Sequence, residues 1–321
     1  MRALVTGASG FAGSHLCEHL LALPGWEVYA VCLASCSTEN LDPVRERLTM
    51  LSGDLLDQQW AAQIVAEVCP DAIFHLAALA SPAASFADPA GTLTTNILVQ
   101  THLFQAILQA RADPVVLVVG SGEEYGMVEP EDVPVDEDTP LRPANPYAVS
   151  KLAQDFLALQ YHISHRLRTV RVRPFNHIGP RQALGFVTSD FAYQIAEIEA
   201  DRRPPVMRVG NLSAQRDFTD VRDMVHAYFL AATQGEPGQV YNLGSGTAHS
   251  IETVLHNLLS YSTATIQVET DPQRMRPSDV PVLICDSSRF HRRTGWEPRI
   301  SLEQSLRDIL AYWRGATSGG R

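Results

Sequence analysis

MRALVTGASGFAG, residues 1–13, holds the reading of the fold. A short apolar run, Ala3–Thr6, passes directly into glycines at every third position, Gly7, Gly10 and Gly13, and these open an amphipathic stretch, Ala12–Leu23. Strand, glycine turn and helix in that order form the first unit of a dinucleotide-binding sheet. Gly7 permits the tight turn, Gly10 lets a pyrophosphate approach the backbone, and Gly13 lets the helix pack close to the sheet. Ser9, Phe11 and Ala12 complete the cradle, because the helix N-terminus offers unpaired N–H groups to phosphate. Farther along, apolar runs at Glu27–Val31, Leu48–Leu51, Ala72–Leu76, Val115–Val119 and Thr169–Arg173 alternate with helical patterns at Gln59–Val68, Thr92–Arg111 and Pro146–Ser164. That alternation predicts an α/β fold, a Rossmann-type doubly wound parallel sheet.

The second half is looser and predicts a smaller mixed α/β part. Helices are expected at Val187–Asp201, Val221–Thr233 and Ile251–Ser260, and strands at Val206–Val209 and Gln239–Leu243. The expected division is a dinucleotide-binding domain over 1–175, to which segments near 217–243 return, a smaller substrate-binding part over 176–313, and a frayed tail over 314–321. Between Met127 and Pro146 lies a proline-rich, acidic loop of the kind that more often serves a function than none.

The 321 residues carry 25 Lys and Arg against 36 Asp and Glu, a net charge of −11. With no basic run, this excludes a surface that tracks nucleic acid or an anionic membrane, so an anionic ligand must meet individual arginines. No segment reaches the length of a membrane span. MRALVTGASG lacks the order of a secretory signal, so the expected compartment is the cytoplasm. Five cysteines without a CxxC pair suggest neither a disulfide framework nor zinc, and the histidines show no metal-ligand spacing.

Tyr147-Ala148-Val149-Ser150-Lys151 sets a phenol and an ammonium one helical turn apart. The ammonium is expected to lower the phenol's pKa and make a proton shuttle for a carbonyl that gains hydride or an alcohol that loses it. Ser121, at the carboxyl end of the run Val115–Val119, could hydrogen-bond the same oxygen. After the second strand neither an acid for an adenosine ribose nor an arginine for a 2′-phosphate appears. Ser35, Ser37 and Thr38 stand there instead, and NAD and NADP remain equally open.

Gly7-x-x-Gly10-x-x-Gly13, Ser121 and Tyr147-x-x-x-Lys151 together resemble the extended short-chain dehydrogenase/reductase family of nucleotide-sugar enzymes, and the resemblance runs from Met1 to about Trp313. It implies NAD(P)H as cofactor, Tyr147 as acid/base, Lys151 orienting the nicotinamide ribose, and Ser121 steadying the substrate oxygen. It further implies cofactor contacts from Asp54 and Leu55 beside the adenine, from Leu76, Ala77 and Ala78, from Asn96, and from Pro174. Asn176, His177 and Val187 would lie toward the sugar.

Gly210-Asn211-Leu212 with Arg216-Asp217, and Arg276-Pro277-Ser278-Asp279-Val280, look like the GDP-mannose branch, which implies a GDP-sugar substrate contacted by Arg216, Arg276 and Asp279. Phe175-Asn176-His177-Ile178-Gly179-Pro180 and Ser121-Gly122-Glu123-Glu124-Tyr125-Gly126 are most similar to its 4-keto-6-deoxymannose reductases, which make GDP-D-rhamnose. The competitor is the 4,6-dehydratase type, because Glu123 matches the glutamate that removes the C5 proton there. Against it stand the absence of Gln-Asp from the glycine turn, the absence of arginines after the second strand, and the Asp217-Phe218-Thr219-Asp220 segment. Other nucleotide-sugar epimerases, and a Rossmann-fold binding protein that has lost catalysis, remain alternatives. A homodimer through Thr92–Arg111 and Pro146–Ser164 is what the resemblance implies.

Overall fold

The computed structural model describes residues 1–272 and 280–318. In chain order the strands are β1 (Arg2–Thr6), β2 (Glu27–Cys32), β3 (Thr49–Ser52), β4 (Ala72–His75), β5 (Val115–Val119), β6 (Arg168–Pro174), β7 (Asn176–Ile178), β8 (Val206–Val209), β9 (Gln215–Asp220), β10 (Val240–Leu243), β11 (Ala248–Ser250), β12 (Gln267–Thr270) and β13 (Val282–Leu283). The helices are α1 (Phe11–Ala22), α2 (Gln58–Val68), α3 (Pro82–Ala87), α4 (Pro89–Ala110), α5 (Pro146–His165), α6 (Val187–Glu199), α7 (Val221–Gln234), α8 (Ile251–Ser260), α9 (Ser288–Thr294) and α10 (Leu302–Ser318).

Seven strands form one sheet in the order β10-β6-β5-β4-β1-β2-β3, and every pairing in it is parallel. The expected Rossmann-type architecture is therefore present. Side chains alternate across the sheet as period-2 geometry requires. Ala3, Val5, Phe74 and Leu117 enter the core shared with α1 and α7, while Leu4, Ile73, Val116 and Val118 enter the core shared with α2, α4 and α5. Both faces are covered, which is why VVLVV reads as a continuous apolar run.

The chain reverses its order at β1, whose neighbours are β2 on one side and β4 on the other. Outside the carboxyl ends of β1 and β4 such a reversal leaves a crevice where ligands bind. The second half builds a third core from α6, α8, α10 and β8, including Phe191, Ile195, Met207, Leu255 and Ile309. It also returns β10 to the edge of the main sheet, beside β6.

One expectation changes over residues 314–318, where α10 continues to Ser318, Thr317 is buried, and Arg202 donates to the Thr317 carbonyl. The loop from Met127 to Pro146 is anchored. Val135 is fully buried, its N–H donates to the Ile284 carbonyl, and the Glu137 carboxylate accepts the Asn242 N–H.

Candidate active site

Gly7 has φ +69, a conformation L side chains rarely adopt, and a Cβ there would stand 2.9 Å from the Ala77 nitrogen. The turn is thereby pressed against the segment that leaves β4. Gly13 is tighter still, since an added Cβ would meet the Gly7 carbonyl oxygen at 2.2 Å and the Ala8 Cα at 2.9 Å. Gly10 is the N-cap of α1 and supplies no side-chain cap, and the first turn contains no acid. Asp57, Asp88, Asn145, Asp220 and Ser250 do cap α2, α4, α5, α7 and α8. The α1 N-terminus thus leaves its N–H groups and positive dipole end for a ligand, and the residues present fit a dinucleotide's phosphates.

The rim of the crevice comes from Ser9, whose carbonyl accepts from Asn40, and from Phe11, Ala12 and the half-buried Leu76, Ala77 and Ala78. Thr6 Oγ1 accepts the Ala77 N–H and contacts His75 Nδ1 at 2.9 Å. Burial pulls the His75 pKa down to about 3, with Lys151 adding to the effect, so the ring stays neutral. Ser35 is exposed in the turn after β2, and Asp54 is exposed after β3. The Leu55 side chain is buried in the core under α2 and α4.

Asn96 is fully buried. Its Oδ1 accepts the Leu79 N–H at 2.7 Å and its Nδ2 donates to Ser150 Oγ at 2.8 Å. The side chain therefore ties the loop after β4 to α5.

Tyr147 lies one residue inside α5, behind Asn145 as N-cap and Pro146 in the first turn. Its phenol lies beside the Ser121 hydroxyl, and burial drives its pKa above the ordinary tyrosine value, with Glu123 and Glu124 adding to the rise. Lys151, 4% exposed, donates to the Val119 carbonyl at 2.9 Å. Burial pulls its pKa down to about 8, opposed by Glu124. The expected depression of the phenol by the ammonium is not what this arrangement produces, because Lys151 faces the end of β5 and desolvation dominates both groups. A neutral, well-buried phenol is a proton donor, which suits reduction of a carbonyl.

Asn145 serves two partners. Its Oδ1 accepts the Ala148 N–H and its Nδ2 donates to Glu123 Oε2 at 3.0 Å, so the helix start that carries Tyr147 also fixes Glu123. That link was invisible in the spacing. Likewise, His177 in β7 stacks on Phe11 with ring centroids 5.7 Å apart and planes 8° from parallel, joining the glycine turn to the segment after Pro174. Asn176 is exposed beside it, and Val187 is half buried at the start of α6.

Arg216 lies in β9 and donates to the Val280 carbonyl at 2.6 Å. Arg276 and Asp279 fall outside the described residues. The neighbouring Asp217 holds the turn after β10, accepting from Ser245, Gly246 and Cys285.

A family model described as GDP-mannose 4,6 dehydratase matches residues 4–309. The chain belongs to that family of nucleotide-sugar enzymes. It is 36% identical over 312 residues to GDP-6-deoxy-D-mannose reductase of Pseudomonas aeruginosa, covering 97% of each chain. Among solved structures, RMD from Pseudomonas aeruginosa complexed with NADPH superimposes with a TM-score of 0.86 at 34% identity, over 98% of this chain and 99% of the other. UDP-glucose 4-epimerase of Thermus thermophilus complexed with NAD gives 0.88 at 30% identity, over 98% and 100%.

Proposed function

We propose that the protein reduces the C4 ketone of GDP-4-keto-6-deoxy-D-mannose to GDP-D-rhamnose with NAD(P)H as reductant. It is an NAD(P)-dependent oxidoreductase, and the observation that carries the direction of its chemistry is the burial that keeps the Tyr147 phenol protonated beside Ser121 and buried Lys151. The nicotinamide supplies hydride when bound. Tyr147, kept neutral by burial, gives its proton to the oxygen at C4 as negative charge develops there. Ser121 shares that oxygen and fixes its approach. Lys151, still charged below about pH 8, orients the nicotinamide ribose.

The cradle proposed for the cofactor comprises Gly7, Ser9, Gly10, Phe11, Ala12 and Gly13, with Ser35, Asp54, Leu55, Leu76, Ala77, Ala78 and Pro174 around it. Asn176, His177 and Val187 would meet the sugar, and Arg216, Arg276 and Asp279 the GDP. The similarity to GDP-6-deoxy-D-mannose reductase supports this choice of substrate.

A second reading, elimination by the 4,6-dehydratase route, rests on one feature. The Glu123 carboxylate, held by Asn145, is close enough to raise the Tyr147 pKa. Offering the purified protein GDP-mannose in one reaction and GDP-4-keto-6-deoxymannose with NADH or NADPH in another separates the two. Consumption of reduced cofactor only in the second is expected. Ketone formed from GDP-mannose would establish the dehydratase instead.

The proposal includes a cytoplasmic location and a homodimer. No described helix is long and apolar enough to cross a membrane. Val149, Phe156 and Ile163 recur every seven residues on α5 and are 41%, 51% and 63% exposed, with Leu98 of α4 at 38%. Such an apolar stripe fits burial against a second copy. Sedimentation of Phe156→Asp as a monomer beside a dimeric wild type is expected, and monomeric wild type would remove the dimer.

A further inference from the structure

Behind Ser121 lies a charged cluster that the reaction as described does not use. Glu124, three residues on, has no exposed surface. Its Oε1 accepts the Ser121 N–H at 2.8 Å. The same oxygen occupies the space beside Gly120, where a Cβ would come within 2.3 Å of it. Its Oε2 stands 3.2 Å from Arg173 Nε.

Arg173, in β6, is itself fixed on three sides. Its Nε donates to Asp155 Oδ2 at 2.7 Å, its Nη1 donates to the Tyr125 hydroxyl at 3.0 Å, and its guanidinium carbon lies 5.3 Å from the centre of the Tyr125 ring. Tyr125 in turn donates to Asn242 Oδ1 at 2.7 Å. Asp155 stands one turn beyond Lys151 on α5 and takes a second guanidinium, that of Arg171. Two carboxyls and two guanidiniums therefore join the Ser121 loop to α5, which carries Tyr147 and Lys151, and to β6.

Burying four ionisable groups is costly unless each finds partners. A hydrophobic residue at 124 would fill the same volume without that cost, but it would give up the capping box that the Glu124 carboxyl and the Ser121 hydroxyl complete over residues 121–124. What the carboxyl adds is a directed acceptor. The Ser121 backbone is held by it, and with it the place of the Ser121 hydroxyl beside the Tyr147 phenol.

We infer that Glu124 is a positioning residue of the active site: clamped from behind by Arg173 and Asp155, it fixes the Ser121 main chain and thereby the Ser121 hydroxyl relative to the phenol of Tyr147. The inference rests on the proposed reductase reading for its kinetic consequence and on geometry alone for its structural one. Burial, with Asp155 beside it, also raises the Glu124 pKa above the usual carboxylate range, and glutamine keeps a carbonyl acceptor at the same reach.

The test compares Glu124→Leu, Glu124→Asp and Glu124→Gln with wild type in steady-state reduction of GDP-4-keto-6-deoxymannose and in amide hydrogen exchange resolved over residues 119–126. Losing the acceptor in Leu, or withdrawing it by one methylene in Asp, is expected to lower kcat about tenfold, the size of one hydrogen bond to a charged group. KM for the nucleotide sugar should stay within about twofold, since no contact to the GDP is touched. The Ser121 amide should exchange at least about tenfold faster while α5 keeps its protection. Glutamine, whose carbonyl can accept the same N–H, should restore both.

A folded Leu or Asp variant with wild-type kcat and wild-type Ser121 protection would overturn the inference, as would a Gln variant no better than Leu. Should Leu fail to fold, Asp retains the charge facing Arg173 and carries the comparison. If wild type itself does not reduce the ketone, the reductase reading fails, and the exchange comparison still decides the role of Glu124.

Discussion

Two helix N-termini are built in opposite ways. α1 begins at Gly10 with no side-chain cap and no acid in its first turn, so its N–H groups are kept for an external anion. α5 begins at Asn145, which satisfies the Ala148 N–H and reaches Glu123 with its remaining amide group. One N-terminus is made to bind and the other to position. The same physics, four unpaired donors at the start of a helix, yields a ligand cradle where side chains are withheld and a rigid mount for Tyr147 where they are supplied.

The sharpest way to break the binding half is Gly13→Ala. The new methyl would press on the Gly7 carbonyl and the Ala8 backbone, neither of which can swing away. A stability loss of roughly 1–3 kcal/mol is expected, with cofactor affinity down at least about tenfold as α1 shifts from the phosphates. Fluorescence titration with NADPH checks it, and unchanged affinity would separate the glycine from the cradle.

The positioning half is weakened by Asn145→Ala. Loss of the N-cap costs about 1 kcal/mol, read as a lower Tm. Because Glu123 is released and Tyr147 is loosened together, kcat should fall several-fold while NADPH affinity holds. A lower affinity with unchanged kcat would reverse the assignment of the two helices.

The smallest effect is on the pH profile. Reduction needs both the Tyr147 proton and the Lys151 charge. Tyr147 keeps its proton because its pKa is raised, whereas Lys151 loses its charge as pH rises through about 8. The rate at saturating cofactor should therefore be level below that pH and decline above it. Lys151→Arg should move or remove the decline, and a flat profile up to the ordinary lysine range would contradict the buried setting of Lys151.

The sheet was legible because parallel strands covered on both faces read as apolar runs, and the glycine turn because each glycine answers a separate steric demand. β7, β9, β11 and β13 were not. They are two to six residues long, and β9, Gln215–Asp220, is polar except for Phe218 while its last four residues are buried, so neither alternation nor hydrophobicity marks it. α10 lies outside the expected helices although Leu302, Leu306, Ile309 and Leu310 repeat at helical spacing.

Ser121, Tyr147 and Lys151 could be found because their spacing encodes the chemistry. The tie between Asn145 and Glu123, the Phe11–His177 stack, and the Glu124–Arg173–Asp155 cluster join residues 18 to 166 positions apart, and no local pattern announces such partners. Asn96, which matches a family pattern, also braces the loop after β4.

The central claim is that the crevice beside α1 binds the cofactor while the phenol on α5 performs the proton transfer. Tyr147→Phe tests it most directly, with NADPH affinity and oxidation of NADPH by GDP-4-keto-6-deoxymannose measured on the same preparation. The account predicts affinity within about twofold of wild type and turnover reduced by roughly 10²–10⁴-fold, the contribution of a positioned general acid. Wild-type turnover in the folded variant would contradict it.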